Sequence, residues 1–61
     1  MTPAAIRSAR KRLAMSYDQF GAALGLQGKH RAINVWRWER GDRKPSEQNL
    51  ALIKMLLEGM R

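Results

Sequence analysis

The chain has 61 residues, twelve Lys and Arg against five Asp and Glu, a net charge of +7 and no cysteine. That length makes a single domain near the lower limit for folding without metal or disulfides. The missing cysteines exclude a disulfide framework, a thiolate nucleophile and a zinc site built on thiolates. The charge favours a polyanionic partner, nucleic acid or an acidic membrane surface, and says nothing about fold.

No apolar run approaches the roughly 18–20 residues that span a bilayer. The N-terminus lacks a signal-peptide layout, so the expected location is the cytoplasm. Alternating strand patterns are absent, and β-branched residues are confined to Thr2, Ile6, Ile33, Val35 and Ile53. The pattern predicts an all-α chain.

The first helix opens at Thr2-Pro3, with Thr2 as N-cap and Pro3 where its missing N–H costs nothing. Ile6, Ala9 and Leu13 form one apolar stripe, and Lys11 and Arg12 belong to a solvated face. A second start signal is the capping box Ser16-Tyr17-Asp18-Gln19, with Met15 and Phe20 as a hydrophobic staple across it. The helix it opens runs through Leu24 and stops at Gly25, a natural left-handed residue. Gly21 and Ala22 are small, and one must be small where the next helix crosses closely.

Residues 26–30 read as a connector and Arg31 to Arg40 as the third helix. On a wheel of about 100° per residue, Val35 and Trp38 share a core face. Ile33, Trp36, Arg37 and Arg40 point the opposite way. Gly41 ends this helix, and Ser46 with Glu47 starts the last, spanning about 46–60. Its apolar arc (Leu50, Leu52, Ile53, Met55, Leu56, Leu57, Met60) is wider than a three-helix core requires.

The capping box, then Ala23-Leu24-Gly25-Leu26, then Trp38-Glu39-Arg40-Gly41 with Pro45-Ser46 four residues on, form a specific set. Through them the chain resembles the Cro/lambda-repressor-type (XRE-like) helix-turn-helix DNA-binding proteins over residues about 5 to 53. The resemblance implies a compact lambda-repressor-like bundle of four or five short helices, with its helix-turn-helix at about 16–40. It places Phe20, Leu24, Leu26, Val35 and Trp38 in the core, and pairs Arg10 with Glu39 in a structural salt bridge. Trp38 lies thirteen positions after Gly25, about four more than in the family pattern, or one helical turn. They lengthen either the connector or the third helix, backward through Lys29 and His30.

The implied activity is sequence-specific binding of double-stranded DNA by a transcriptional regulator. It would be a repressor on an inverted repeat, bound as a homodimer with half-sites about 34–36 Å apart. Small regulators of phage and mobile elements have this form. Arg37 is the first choice for a guanine contact, because its fork matches O6 and N7. Arg40 is a second base reader or a phosphate contact, and Asn34 is an adenine contact, a phosphate contact or ordinary helix surface. Ile33 and Trp36 meet thymine methyls or sugar edges, with burial against the connector as the alternative for Trp36. Lys29, Arg31, Arg43 and Lys44 would neutralise phosphates. Ser16, Tyr17 and Gln19 would stand by another phosphate, unless Gln19 is spent on its capping box.

Leu52, Met55, Leu56 and Met60 are candidates for the dimer interface, against the plainer alternative that they close the core. A rival reading makes the chain an antitoxin or adaptor whose last helix binds a partner protein, with DNA secondary. A membrane-surface peptide fits poorly, because the caps specify separate packed helices. His30 has no second ligand nearby, so no metal is expected. The scattered carboxylates offer no nucleophile–base set, so no enzyme activity and no cofactor or small-molecule ligand is expected.

Overall fold

A computed structural model describes residues 1–60. Four helices and no strands are present among them: α1 (Pro3–Arg12), α2 (Tyr17–Ala23), α3 (Arg31–Arg40) and α4 (Glu47–Glu58). The chain therefore forms four helices rather than five among these residues. Each of α1, α2 and α4 begins where a hydroxyl can accept an otherwise orphaned backbone N–H. Thr2 accepts from Ala5, Ser16 from Gln19 and Ser46 from Asn49. The Gln19 side chain returns a bond by accepting the Ser16 N–H at 3.0 Å, which completes the box.

The first three helices end alike. At the end of α2, Gly25 adopts φ +81°. Its N–H donates to Ala22 O, and the Leu26 N–H donates to Gly21 O. These are the paired bonds of a Schellman turn, which satisfy carbonyls the helix leaves open. The same pairing follows α3, where the Gly41 and Asp42 N–H groups reach Trp38 O and Arg37 O. It also follows α1, where Ala14 and Met15 reach Lys11 O and Arg10 O. There the left-handed position is held by an alanine at φ +55°.

The core consists of Ile6 and Ala9 from α1, Phe20 from α2 with Leu24 at its C-cap, Val35 and Trp38 from α3, and Ile53 from α4. Leu13, Met15, Leu26, Leu50, Leu52, Leu56 and Leu57 pack around it. The core positions expected from the sequence lie in this cluster, with Leu26 at its edge. α2 packs most extensively on α3, and α1 bridges α3 and α4.

Gly21 makes the α2–α3 contact possible. A Cβ built there would sit 3.0 Å from both the Arg31 Cβ and the Arg31 carbonyl oxygen. That is tighter than ordinary van der Waals contact, so a larger residue would drive the start of α3 away. Of the two small residues, Gly21 is the buried one and Ala22 is exposed. The extra residues before Trp38 belong to the connector, residues 24–30, and α3 does not extend back through Lys29 and His30. Gly28, at φ +85°, explains this: a left-handed residue cannot continue a right-handed helix.

Candidate nucleic-acid interface

α3 is a ten-residue helix with two different faces. Val35 and Trp38 turn inward, 0 % and 6 % exposed, and fix the rod against α1 and α2. The opposite face carries Ile33 at 40 % and Trp36 at 38 % exposure, together with exposed Arg40 and half-buried Arg37. Trp36 is thus on the solvent side and not packed away under the connector. Asn34 is half-buried at the border of this face.

Two ion pairs brace α3 at its ends. At the C-terminal end, Arg10 Nε donates to Glu39 Oε2 at 2.7 Å and Nη2 donates to Oε1 at 3.3 Å. Arg10 Nη1 also donates to the Met15 carbonyl at 3.1 Å. The two side chains retain only 13 % and 5 % of their exposure, so the pair is nearly dry. The Arg10 guanidinium also lies 4.4 Å from the Tyr17 ring centroid, a cation–π contact. The hydrogen bonds to Glu39 hold the Arg10 pKa above its usual value, against the opposing effect of burial. One arginine thus joins α1, the α1–α2 turn, α2 and the end of α3.

At the N-terminal end, Arg31 Nε and Nη2 donate to Asp18 Oδ1 and Oδ2 at 2.6 and 2.8 Å. This bidentate pair ties the first turn of α2 to the first turn of α3. It lies on the surface, and hydrogen bonding from Arg31 lowers the Asp18 carboxyl below its ordinary range. Sequence reading placed Arg31 among the phosphate contacts, whereas its guanidinium is engaged by Asp18. Asp18 itself was missed, because the two residues are brought together only by the path of the connector.

The third contact lies on the outer face. The Arg40 guanidinium sits 4.6 Å from the Trp36 ring centroid, and its Nε is 3.5 Å from Asp42 Oδ2. The i, i+4 spacing of Trp36 and Arg40 made the stack accessible from the sequence. The contact with Asp42 depends on the turn after Gly41.

Lys29 lies just before α3, and Arg43 and Lys44 lie just after it. All three are exposed, and none has an ion-pair partner among the described residues. Positive charge therefore brackets both ends of the outer face. Ser16 and Gln19 are engaged in the capping box, and Tyr17 is stacked on Arg10. What these three leave toward solvent is the Gln19 amide N–H groups, the Tyr17 hydroxyl and the Ser16 hydroxyl hydrogen. Along α4, Leu52 and Leu56 are half-buried against the chain's own core, while Met55 is 65 % and Met60 49 % exposed.

No group of His, Asp or Glu residues suited to a metal ion occurs among the described residues, and no helix among them is long and apolar enough to cross a membrane. The chain matches no protein-family model, no curated protein and no solved structure.

Proposed function

We propose that this chain is a sequence-specific double-stranded DNA-binding regulator of the Cro/lambda-repressor type, with α2 and α3 as its helix-turn-helix. The observation that carries this reading is the two-faced construction of α3. Its inner face is locked by Val35 and Trp38, and its outer face offers Arg37, Arg40, Ile33 and Trp36 between unpaired Lys29 at one end and Arg43 and Lys44 at the other. A rigid helix projecting arginine side chains suits the major groove, where guanine presents two acceptors at the spacing of a guanidinium fork. Lys29, Arg43 and Lys44 supply sequence-independent attraction to phosphates. A domain of this size covers few base pairs, which favours a homodimer on an inverted repeat, acting in the cytoplasm as a repressor by occluding promoter sequence.

The test is selection of bound duplexes from a randomised DNA pool at about 150 mM salt, where unspecific binding is weakened. An enriched inverted repeat is expected with the native chain. Arg37→Ala should lose about 1–3 kcal/mol of that preference while keeping its fold. Binding that enriches nothing and vanishes as salt rises would refute sequence-specific recognition. A second reading, an antitoxin or adaptor whose last helix binds a partner protein, is favoured by the exposed Met55 and Met60. That reading expects pool selection to fail and α4 variants to lose the partner.

A further inference from the structure

Arg37 and Arg40 share the outer face of α3 but stand in different surroundings. Arg37 has no ion-pair partner among the described residues. Arg40 has two neighbours, its guanidinium carbon 4.6 Å from the Trp36 ring centroid and its Nε 3.5 Å from Asp42 Oδ2. The stack folds the side chain back by one helical turn, because Trp36 precedes Arg40 by four residues. With Trp36 beside the guanidinium and Asp42 nearest its Nε, the terminal Nη groups have no partner among the described residues and are left to meet a ligand.

The charge beside Arg40 distinguishes between ligands. A phosphate contact draws most of its strength from net positive charge. Asp42 cancels that charge locally and would itself be repelled by phosphate. A base edge carries no net charge and rewards direction instead. An arginine whose orientation is already biased gives up less entropy when it forms two parallel hydrogen bonds. Both contacts are solvent-exposed, with Arg40 and Asp42 side chains 57 % and 54 % accessible, so in the free protein they bias the orientation of Arg40 without locking it and add little to stability. They would strengthen where a nucleic-acid surface excludes water.

We infer that Arg40 is a pre-oriented guanine reader, and that Trp36 and Asp42 are its positioning residues, setting specificity rather than affinity. This inference rests on the DNA-binding reading above and deepens it. It divides the labour on the outer face: Arg40 reads through direction, and Lys29, Arg43 and Lys44 attract through charge. Asp42 thereby gains a role in DNA recognition, despite being an acid in a basic patch.

The experiment uses the full chain and the duplex its own pool selection yields. Each guanine is replaced in turn by 7-deazaguanine, which lacks the N7 acceptor but still pairs with cytosine. The native chain should lose about fivefold or more in affinity at the guanine that Arg40 reads. Arg40→Ala, Trp36→Ala and Asp42→Asn should each abolish that penalty, while Trp36→Phe, which keeps a ring under the guanidinium, should retain it. Asp42→Asn should bind scrambled duplex at least as tightly as the native chain, because it removes a negative charge. Melting temperatures of all four variants should stay close to native, since every altered side chain is exposed.

Asp42→Asn and Trp36→Ala retaining the native penalty at every guanine would overturn the positioning role. Loss of no penalty in Arg40→Ala would overturn Arg40 as the reader. In both outcomes the native chain still prefers its selected duplex, so the broader reading survives. A native chain that binds selected and scrambled duplex equally refutes both together.

Discussion

Replacing Glu39 by alanine tests whether α1 and α3 are held in place by one nearly dry ion pair. Glu39 accepts two hydrogen bonds from Arg10, at 2.7 and 3.3 Å, and its side chain is 5 % exposed. Alanine would leave the Arg10 charge, 13 % exposed in the intact pair, with only the Met15 carbonyl and the Tyr17 ring for company. Breaking a buried pair from one side costs roughly 3–5 kcal/mol. The residual access of Arg10 to water places this case at the lower end, about 3 kcal/mol. A chain of this length has a total stability of about 3–9 kcal/mol, so the loss is a large share of it. At about 4–8 °C per kcal/mol, the melting temperature should fall by about 12–24 °C in a dilute circular-dichroism melt. Replacing both partners with Arg10→Met and Glu39→Leu should recover most of that loss, since apolar residues leave no uncompensated charge. A Glu39→Ala melting temperature within about 4 °C of native would refute the reasoning, because one kcal/mol or less would mean that Arg10 finds water at no cost.

Three further outcomes are expected. Lys44→Ala should lower the slope of log affinity against log salt by about 0.9 without changing base preference, and an unchanged slope would remove Lys44 from the phosphate contacts. Ala14→Gly should stabilise the chain by about 1 kcal/mol, because alanine at φ +55° bears a left-handed penalty that exceeds the extra unfolded-state entropy of glycine. A melt unmoved or lowered would show that Ala14 is not left-handed in solution. The Asp18 carboxyl, held below its ordinary value of 3.8 by hydrogen bonds from Arg31, adds stability that is complete above that value and is lost as pH falls through the lower folded value. The deficit of Asp18→Asn relative to the native chain should therefore be present near about pH 7 and shrink below about pH 4, and a deficit independent of pH would mean that the pair does not form.

The features legible in the sequence are those whose chemistry is local. The Ser16–Gln19 box, the Gly25 stop, the Gly41 end of α3 and the Ser46 cap each depend on residues within one turn of one another, and each is present. Arg10 and Glu39 lie 29 residues apart, and their pairing came from resemblance to a family pattern, not from spacing. The Asp18–Arg31 pair had no such guide. It forms because the connector folds back at Gly25 and Gly28 and sets two helix starts side by side. Ala14 was illegible for a different reason: nothing in an alanine announces a left-handed backbone, and the surrounding packing imposes it. The outer face of α3 followed from the helical wheel, but the restraint on Arg40 required the turn that brings Asp42 round.

The apolar arc of α4 shows why composition alone could not assign an interface. Ile53 is fully buried, and Leu52 and Leu56 are half-buried against the same core, so much of the arc is used within the chain. Met55 and Met60 remain, at 65 % and 49 % exposure. A stable interface takes about 800 Å² from each partner, a sizeable part of a molecule whose whole surface is 4401 Å². Two methionines with the edges of two leucines supply only a fraction of that. A homodimer built on this face should therefore be weak in free solution and form when adjacent half-sites hold two copies together, where effective concentration replaces intrinsic affinity. Sedimentation of the free chain at micromolar concentration should show monomer, with two copies bound cooperatively to an inverted repeat. Met55→Lys should abolish the cooperativity and leave binding to a single half-site intact. A tight dimer in the absence of DNA would refute this account and require an interface larger than α4 offers.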